Sequence, residues 1–530
     1  MIKIIRHNLL IILLITSING QVFRLTKPTL DSTDNVYEGL PSNGVTQIVP
    51  QGDSLIWIAT GGGLCWTTNF GESFWHYVGN SNLPRGGISA IETLGSVIWV
   101  AGVFDSTTDL GTFQTGGGLA FSKDYGASWT FVPQPIDTVQ GDYKYQVWNG
   151  DTITFLAIKT PINNTTWDIA LDIANGDTVI YITSWAGGLR RSKDFGATWE
   201  SIPMPSDDLD ILLCSDEIDF VINPLDPAQN GNHNHKGFSV TAYGGDTLWV
   251  GTANGVNLGV IESDGCIRWQ KYNAQNSNLS GNFVIALARQ HWNGRETIWA
   301  GALTAEGAGE IRAACQTNDG GRTWYRTLVG ERIYNFTFQD SITYACTERG
   351  LFKSRDGENW ALYNPINDED NNAYILSQDV YAAAVDIREG QSILWLGTSD
   401  GIAKTASDSE NWEVYHQSVS TSSPGQPAIY AYPNPFVPAL HNVLNGDGHV
   451  RIQYYLNEPA VIQLEIYDFA MDIVYKSEPR SITHLGDNSE IWNGKNKAGK
   501  LVANGTYFCK LIEKTNDNKR SHWTKLIVVK

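Results

Sequence analysis

Three long polar stretches hold the side chains best suited to chemistry. Val103–Gly117 (VFDSTTDLGTFQTGG) offers Asp105 and Asp109. Met204–Gly237 offers Asp216 and Glu217, then His233 and His235 in NHNH. The third, Asn364–Asp379 (NPINDEDNNAYILSQD), carries Asp368, Glu369 and Asp370. Paired carboxylates are the machinery of glycoside hydrolysis. A His-x-His pair can place two imidazoles on one metal, and a run of acidic oxygens can take Ca²⁺. Each set is incomplete. No third ligand accompanies the histidines, the acidic run lacks the spacing of a calcium loop, and dozens of acidic residues make any carboxylate pair arbitrary. The expectation is solvated loops that meet a ligand, with no cofactor or metal assigned. Nucleophile-elbow and P-loop patterns are absent from the sequence.

The elements that must carry these stretches repeat. FSKDYGASW, RSKDFGATW and QTNDGGRTW share Ser/Thr-x-Asp-x-Gly-x-Ser/Thr-Trp, with Ser122, Asp124, Gly126 and Trp129 in the first copy. Ser192, Asp194, Gly196 and Trp199 form the second copy, and Thr317, Asp319, Gly321 and Trp324 the third. TTNFGESFW has Asn69 for the Asp, and SRDGENW keeps Asp356 and Trp360 but loses a residue before Gly357. Repetition points to architecture, because a catalytic motif is needed once. Ahead of the copies recurs an apolar strand, a Gly-containing turn and a second strand, as in LIWIATGGGL, LWVGTANGV and LWLGTSDGI. These segments are short, β-branched and punctuated by Gly, which predicts hairpins rather than helices. A further apolar strand lies upstream of each.

Each unit therefore supplies four strands, A to D. The final-strand aromatics Phe74/Trp75, Trp129, Trp199, Trp269, Trp324, Trp360 and Trp412 set the count at seven. Residues 145–158 could be extra strands or part of another unit, so six or eight are the alternatives. One four-stranded sheet cannot bury both faces, whereas sheets stacked around an axis can. The prediction is an all-β, seven-bladed β-propeller. The repeated turn resembles the Asp-box (BNR) repeat of sialidase-like and sortilin-like propellers, over roughly residues 40–417. The resemblance implies that the boxes are structural and lie away from the ligand face. With strands in the order A–B–C–D, the B–C and D–A connections share one rim, where most of the long insertions fall.

The resemblance also raises sialidase chemistry, with three arginines on a substrate carboxylate. Phe23 and Arg24 faintly match a sialidase element, but Pro28 is displaced. Arg289, Arg312 and Arg349 lack a diagnostic context, and sialidases have six blades. A hydrolase is thus the alternative to a glycan-binding or protein-binding module, and an envelope assembly factor is a third class.

The first twenty residues, MIKIIRHNLLIILLITSING, have Lys3 and Arg6 before an apolar run, the pattern of a secretory signal peptide (1–20). No later stretch is long and apolar enough to predict a transmembrane segment. A net charge of −19 argues against nucleic acid as partner. Six cysteines are scattered without a CxxC pair, and their spacing identifies no disulfide. The propeller is expected over 21–417, followed by a Ser/Pro-rich linker at 418–428.

Residues 429–530 alternate apolar and polar in short strands, which predicts an Ig-like β-sandwich. This part is similar to the Ig-like module named after flagellar hook-capping proteins and to C-terminal sorting domains of type IX secretion cargo. Tyr432-Pro433-Asn434-Pro435-Phe436, Trp492-Asn493-Gly494-Lys495-Asn496, Gly499 and Gly505-Thr506-Tyr507-Phe508 carry the likeness. It implies secretion machinery as a partner. The usual Gly after IYD is Met471 here.

Overall fold

The computed structural model describes residues 36–530, apart from 110, 306, 308, 364, 365, 389, 407, 408 and 410. The stretch read above as a signal peptide, and Phe23, Arg24 and Pro28, lie outside the described residues. The fold is all-β. Among the described residues, seven antiparallel sheets of four or five strands, I to VII, follow one another between residues 36 and 415. Their innermost strands are Val45–Gln51, Gly87–Leu94, Thr166–Ala174, Gly237–Tyr243, Phe283–Trp292, Ile333–Gln339 and Val380–Arg388. Each innermost strand contacts the next, and the last contacts the first, so the sheets form a β-propeller around a common axis.

The repeated turns make the joints between sheets. In the turn of sheet II, Ser122 Oγ donates to Asp124 Oδ1 at 2.6 Å and accepts the Gly126 N–H at 2.8 Å. Asp124 also receives the Ser128 N–H and hydroxyl at 2.9 and 2.6 Å. Those donors hold the exposed Asp124 carboxyl down to about 2. Sheet III repeats the pattern with Ser192, Asp194 and Gly196, and sheet V with Thr317, Asp319 and Gly321. Asn69 reproduces it in sheet I, with its amide donating to Ser73. Asp356 does so across the shortened turn of sheet VI. Gly126 has φ +83, and a Cβ there would lie 2.4 Å from the Trp57 ring of sheet I. Glycine is thus required both by conformation and by a close approach. Trp129 then meets Trp57 edge-on at 5.7 Å, and the same pairing recurs between Trp199 and Trp99, Trp324 and Trp249, and Trp360 and Trp299. At the closing joint, a Cβ on Gly71 of sheet I would come within 2.7 Å of Trp395 of sheet VII.

Two added elements cover the perimeter of sheets III and IV. Residues 145–158 do not build another blade. They fall largely within a separate hairpin, Tyr143–Trp148 with Asp151–Leu156, paired around Asn149-Gly150. Sheet III needs that cover because its outermost strand, Glu200–Ser201, has two residues. Lys144 Nζ and the Gln146 amide both donate to Ser201. The Met204–Gly237 stretch is a strap rather than a free rim loop. Its Ile211–Leu212 segment pairs with the outer strand of sheet IV, Ile267–Tyr272, and Cys214 is disulfide-bonded to Cys266.

The C-terminal part is a two-layer sandwich. One layer pairs Ile429–Tyr432, Val450–Leu456 and Gly486–Trp492. The other is built on Ala460–Tyr467, Gly505–Lys514 and Lys519–Val528. Phe436, Ile452, Ile462, Leu464, Trp492 and Leu511 fill its core. Met471 holds φ +66, so this position keeps the left-handed backbone that a Gly would adopt without strain.

Candidate functional site

The innermost strand of every sheet carries a β-bulge near its start. The register skips one residue in each: Thr46, Ser89, Trp167, Phe238, Ile285, Tyr334 and Tyr381. Bulges bend a strand and re-aim a side chain, so seven equivalent positions are gathered where the inner strands begin, on the rim of the B–C and D–A connections. Four are aromatic. Trp167 lies 6.1 Å from Phe238, and Phe238 lies 4.4 Å from Phe283, linking sheets III, IV and V. Trp185, from the B–C turn of sheet III, joins them at 5.5 Å from Phe238 and 6.4 Å from Phe283. Lys236 Nζ lies 4.9 Å from the Trp185 ring and is ion-paired to Asp226. On sheets VI and VII, Tyr334 and Tyr381 meet edge-on at 5.0 Å, and Tyr334 Oη donates to Asp379 at 2.9 Å. Burial raises the Asp379 carboxyl despite that donor. This aromatic mouth was missed in the sequence, where its members are spread over more than 200 residues with no spacing rule.

Below the mouth, side chains on inner strands capture backbone N–H groups of the next sheet. Gln47 accepts from Ile91 and Asp168 from Val240, at 3.0 and 2.9 Å. Asp168 also accepts its neighbour Ile169 N–H. Desolvation pushes Asp168 up to about 7, against the pull of those two donors. Desolvation raises Glu92, on the adjoining strand, to about 7 as well, and the Asp168 charge adds to the rise.

The residues expected to act together are dispersed. Asp105 and Asp109 sit on a hairpin arm formed by extension of Val97–Thr108 and Gly111–Ser122, not on an irregular loop. Asp216 accepts the Leu213 N–H beside Cys214, and Glu217 is exposed on the same perimeter strap, so neither reaches the mouth. His235 is not in a solvated loop. It is 1% exposed, accepts the Asn223 N–H at Nδ1 and donates from Nε2 to the Met204 carbonyl. Burial lowers it to about 4, so it is a neutral structural imidazole with no nitrogen free for a metal. His233 precedes it in the same short 3-10 turn. Among the described residues no cluster of three His, Cys, Asp or Glu is placed to hold a metal ion.

Asp368 is buried too. It accepts from the Asn371 N–H and amide and from the Val414 N–H, while Glu369 beside it is exposed. The stretch around them is not a free rim loop, because the sandwich docks there. Arg480 donates to Asn372 at 2.7 Å, and Arg451 donates to the Tyr374 carbonyl at 2.7 Å and to Asp400. Arg289, Arg312 and Arg349 do not converge either. Arg289 pairs with Glu296 toward the opposite end of its strand, Arg312 with Glu348 and Arg349 with Glu331.

No family model and no curated protein matches this sequence. Solved structures of low identity do. PorZ, described as a bacterial surface component of the type IX secretion system of Porphyromonas gingivalis, is 14% identical, with 94% of this chain and 68% of that chain covered and a TM-score of 0.31. A GH74 enzyme of Niastella koreensis is 11% identical, with 93% and 67% covered and a TM-score of 0.46. YCF48 from Cyanidioschyzon merolae is 13% identical, with 72% and 98% covered and a TM-score of 0.37.

Proposed function

We propose that this chain is an exported, seven-bladed binding propeller that takes a glycan or protein ligand at the aromatic mouth, and that residues 429–530 serve secretion or surface attachment. The observation that carries the reading is the run Trp167–Phe238–Phe283 with Trp185 beside it. Phe238 is buried and packs beneath them, so the half-buried Trp167, Trp185 and Phe283 are the rings that give a ligand flat apolar area at low entropic cost, and the half-buried Asp379 supplies polar orientation. The Asp-box turns support it by their place on the other rim, where they act as joints. Sulfur chemistry is not part of the reading: Cys65, Cys315, Cys346 and Cys509 are buried, and the other two cysteines are bridged.

A second reading rests on Glu92 and Asp168, two carboxyls held near neutrality on adjoining inner strands, which is a protonation pattern useful to a glycoside hydrolase. One experiment separates the two. The secreted chain is exposed to arrayed glycans and extracellular proteins, and the supernatant is assayed for released reducing sugar. Retention without release is the expected result. Release that disappears in Glu92→Gln would transfer the assignment to the hydrolase.

A further inference from the structure

The two elements that cover sheets III and IV leave an unguarded strand edge. Among the described residues, Tyr143–Trp148 pairs with Asp151–Leu156 on one side and with no strand on the other. Alternate residues of that edge strand face solvent, with Tyr143 47%, Tyr145 68% and Val147 68% exposed. Ile211 and Leu213 of the strap, 50% and 41% exposed, extend the apolar surface, and Asn149 at the hairpin tip donates to the Cys214 carbonyl. Natural edge strands are usually blunted by an outward Lys or a Pro. The one Lys here, Lys144, turns inward to Ser201 and Asp137. What surrounds the edge is negative: Asp208, Asp210, Asp216, Glu217 and Asp219 are exposed, and no Lys or Arg occurs between residues 204 and 235.

The sandwich offers the complement. Residues 429–530 carry 12 Lys and Arg against 10 Asp and Glu, in a chain of net charge −19. Its edge strand Lys519–Val528 is covered by Asn434 and Phe436 only at residues 525–529. The open half presents Lys519, Arg520 and a 46% exposed Trp523. Two hairpin edges would bring acidic straps together, and two sandwich edges would bring cations together. Only the unlike pairing matches charge and strand edge at once. We infer that the hairpin edge Tyr143–Trp148 of one copy of this chain pairs with the sandwich edge Lys519–Thr524 of a second copy. The contact is heterologous, so it propagates into a chain or a closed ring rather than stopping at a two-fold dimer.

Light scattering and sedimentation of the purified full chain test this. The wild type assembles beyond two copies as concentration rises at low ionic strength, and high salt disperses it. Tyr145→Lys blocks the hairpin and Lys519→Glu/Arg520→Glu reverses the sandwich charge, so each variant alone is monomeric. Mixed, they form a two-chain complex and stop, because each retains one competent edge. Unchanged thermal midpoints verify that both variants are folded. A wild type monomeric at every concentration, or variants that assemble as it does, would overturn the inference. Two-fold dimers that survive either variant would assign association to another surface, also against it.

Discussion

Arg451, on the second strand of the sandwich, donates to the carboxylate of Asp400 in the B–C turn of sheet VII, and both side chains are almost fully buried. Burial opposes the Asp400 charge, yet Arg451 and His416 together hold its carboxyl below the usual range. Arg451 also donates to the Tyr374 carbonyl and lies 3.2 Å from His416 Nε2. One guanidinium thus ties three segments of the propeller rim to the sandwich. The sandwich is a docked body on the mouth-bearing rim rather than a tethered appendage, and the stretch after Asn364 is spent on that contact.

Replacing Arg451 by Ala leaves a buried carboxylate without its partner. Such a loss costs about 3–5 kcal/mol, enough to release the sandwich while each part keeps its own core. The expected outcome is new proteolytic cleavage in residues 418–428, with two resistant fragments. A variant as resistant as wild type would show that the docking is held elsewhere.

Acid should loosen the strap. The His235 imidazole sits at about 4 when folded, lowered by burial from 6.5, with Asp207 pulling it up and Lys271 adding to the fall. Above pH 6.5 it is neutral in both states, and the full stability is present. Between 6.5 and 4 the unfolded chain binds a proton that the folded chain refuses, so stability falls by about 3 kcal/mol. His416, also buried and lowered, acts in the same direction. Denaturant midpoints measured across that range in wild type and His235→Gln check this: the variant is weaker at neutral pH, and its dependence on pH is flatter.

The turn glycines should matter more than the turn carboxylates. Gly126→Ala meets both the left-handed backbone and the Trp57 ring, and is expected to cost about 2–4 kcal/mol. Asp124→Ala removes exposed hydrogen bonds and should cost less. Thermal midpoints of the two variants rank them, and the opposite order would remove the joint from the explanation.

Met471 makes a prediction of the opposite sign. It is 52% exposed and holds φ +66. Met471→Gly relieves a strained backbone at the loss of little packing, and should raise stability by about 1 kcal/mol. A lower midpoint would show that the side chain contributes more than its exposure implies.

The joints were legible in the sequence because they are local. Ser122, Asp124, Gly126 and Trp129 fall within eight residues, and each has a turn or packing reason for its type. The strand–turn–strand pattern was legible for the same reason. The mouth was not. Its bulge positions hold Thr46, Ser89, Trp167, Phe238, Ile285, Tyr334 and Tyr381, and no residue type announces a backbone irregularity shared by all seven. His235 and Asp368 looked like solvated loop residues because burial is decided by what folds over them, here the strap and the strand around Val414. Arg451 and Asp400 are separated by a domain boundary, and neither has a sequence signature for the other.

The aromatic mouth is the proposed seat of ligand binding. Affinity for whichever arrayed glycan or protein the wild type retains is to be compared with that of Trp185→Ala at equal thermal stability. Loss of a central aromatic contact of about 2 kcal/mol predicts roughly thirty-fold weaker binding, while Tyr145→Lys on the perimeter keeps wild-type affinity. Undiminished binding by Trp185→Ala would contradict the placement of the ligand at the mouth.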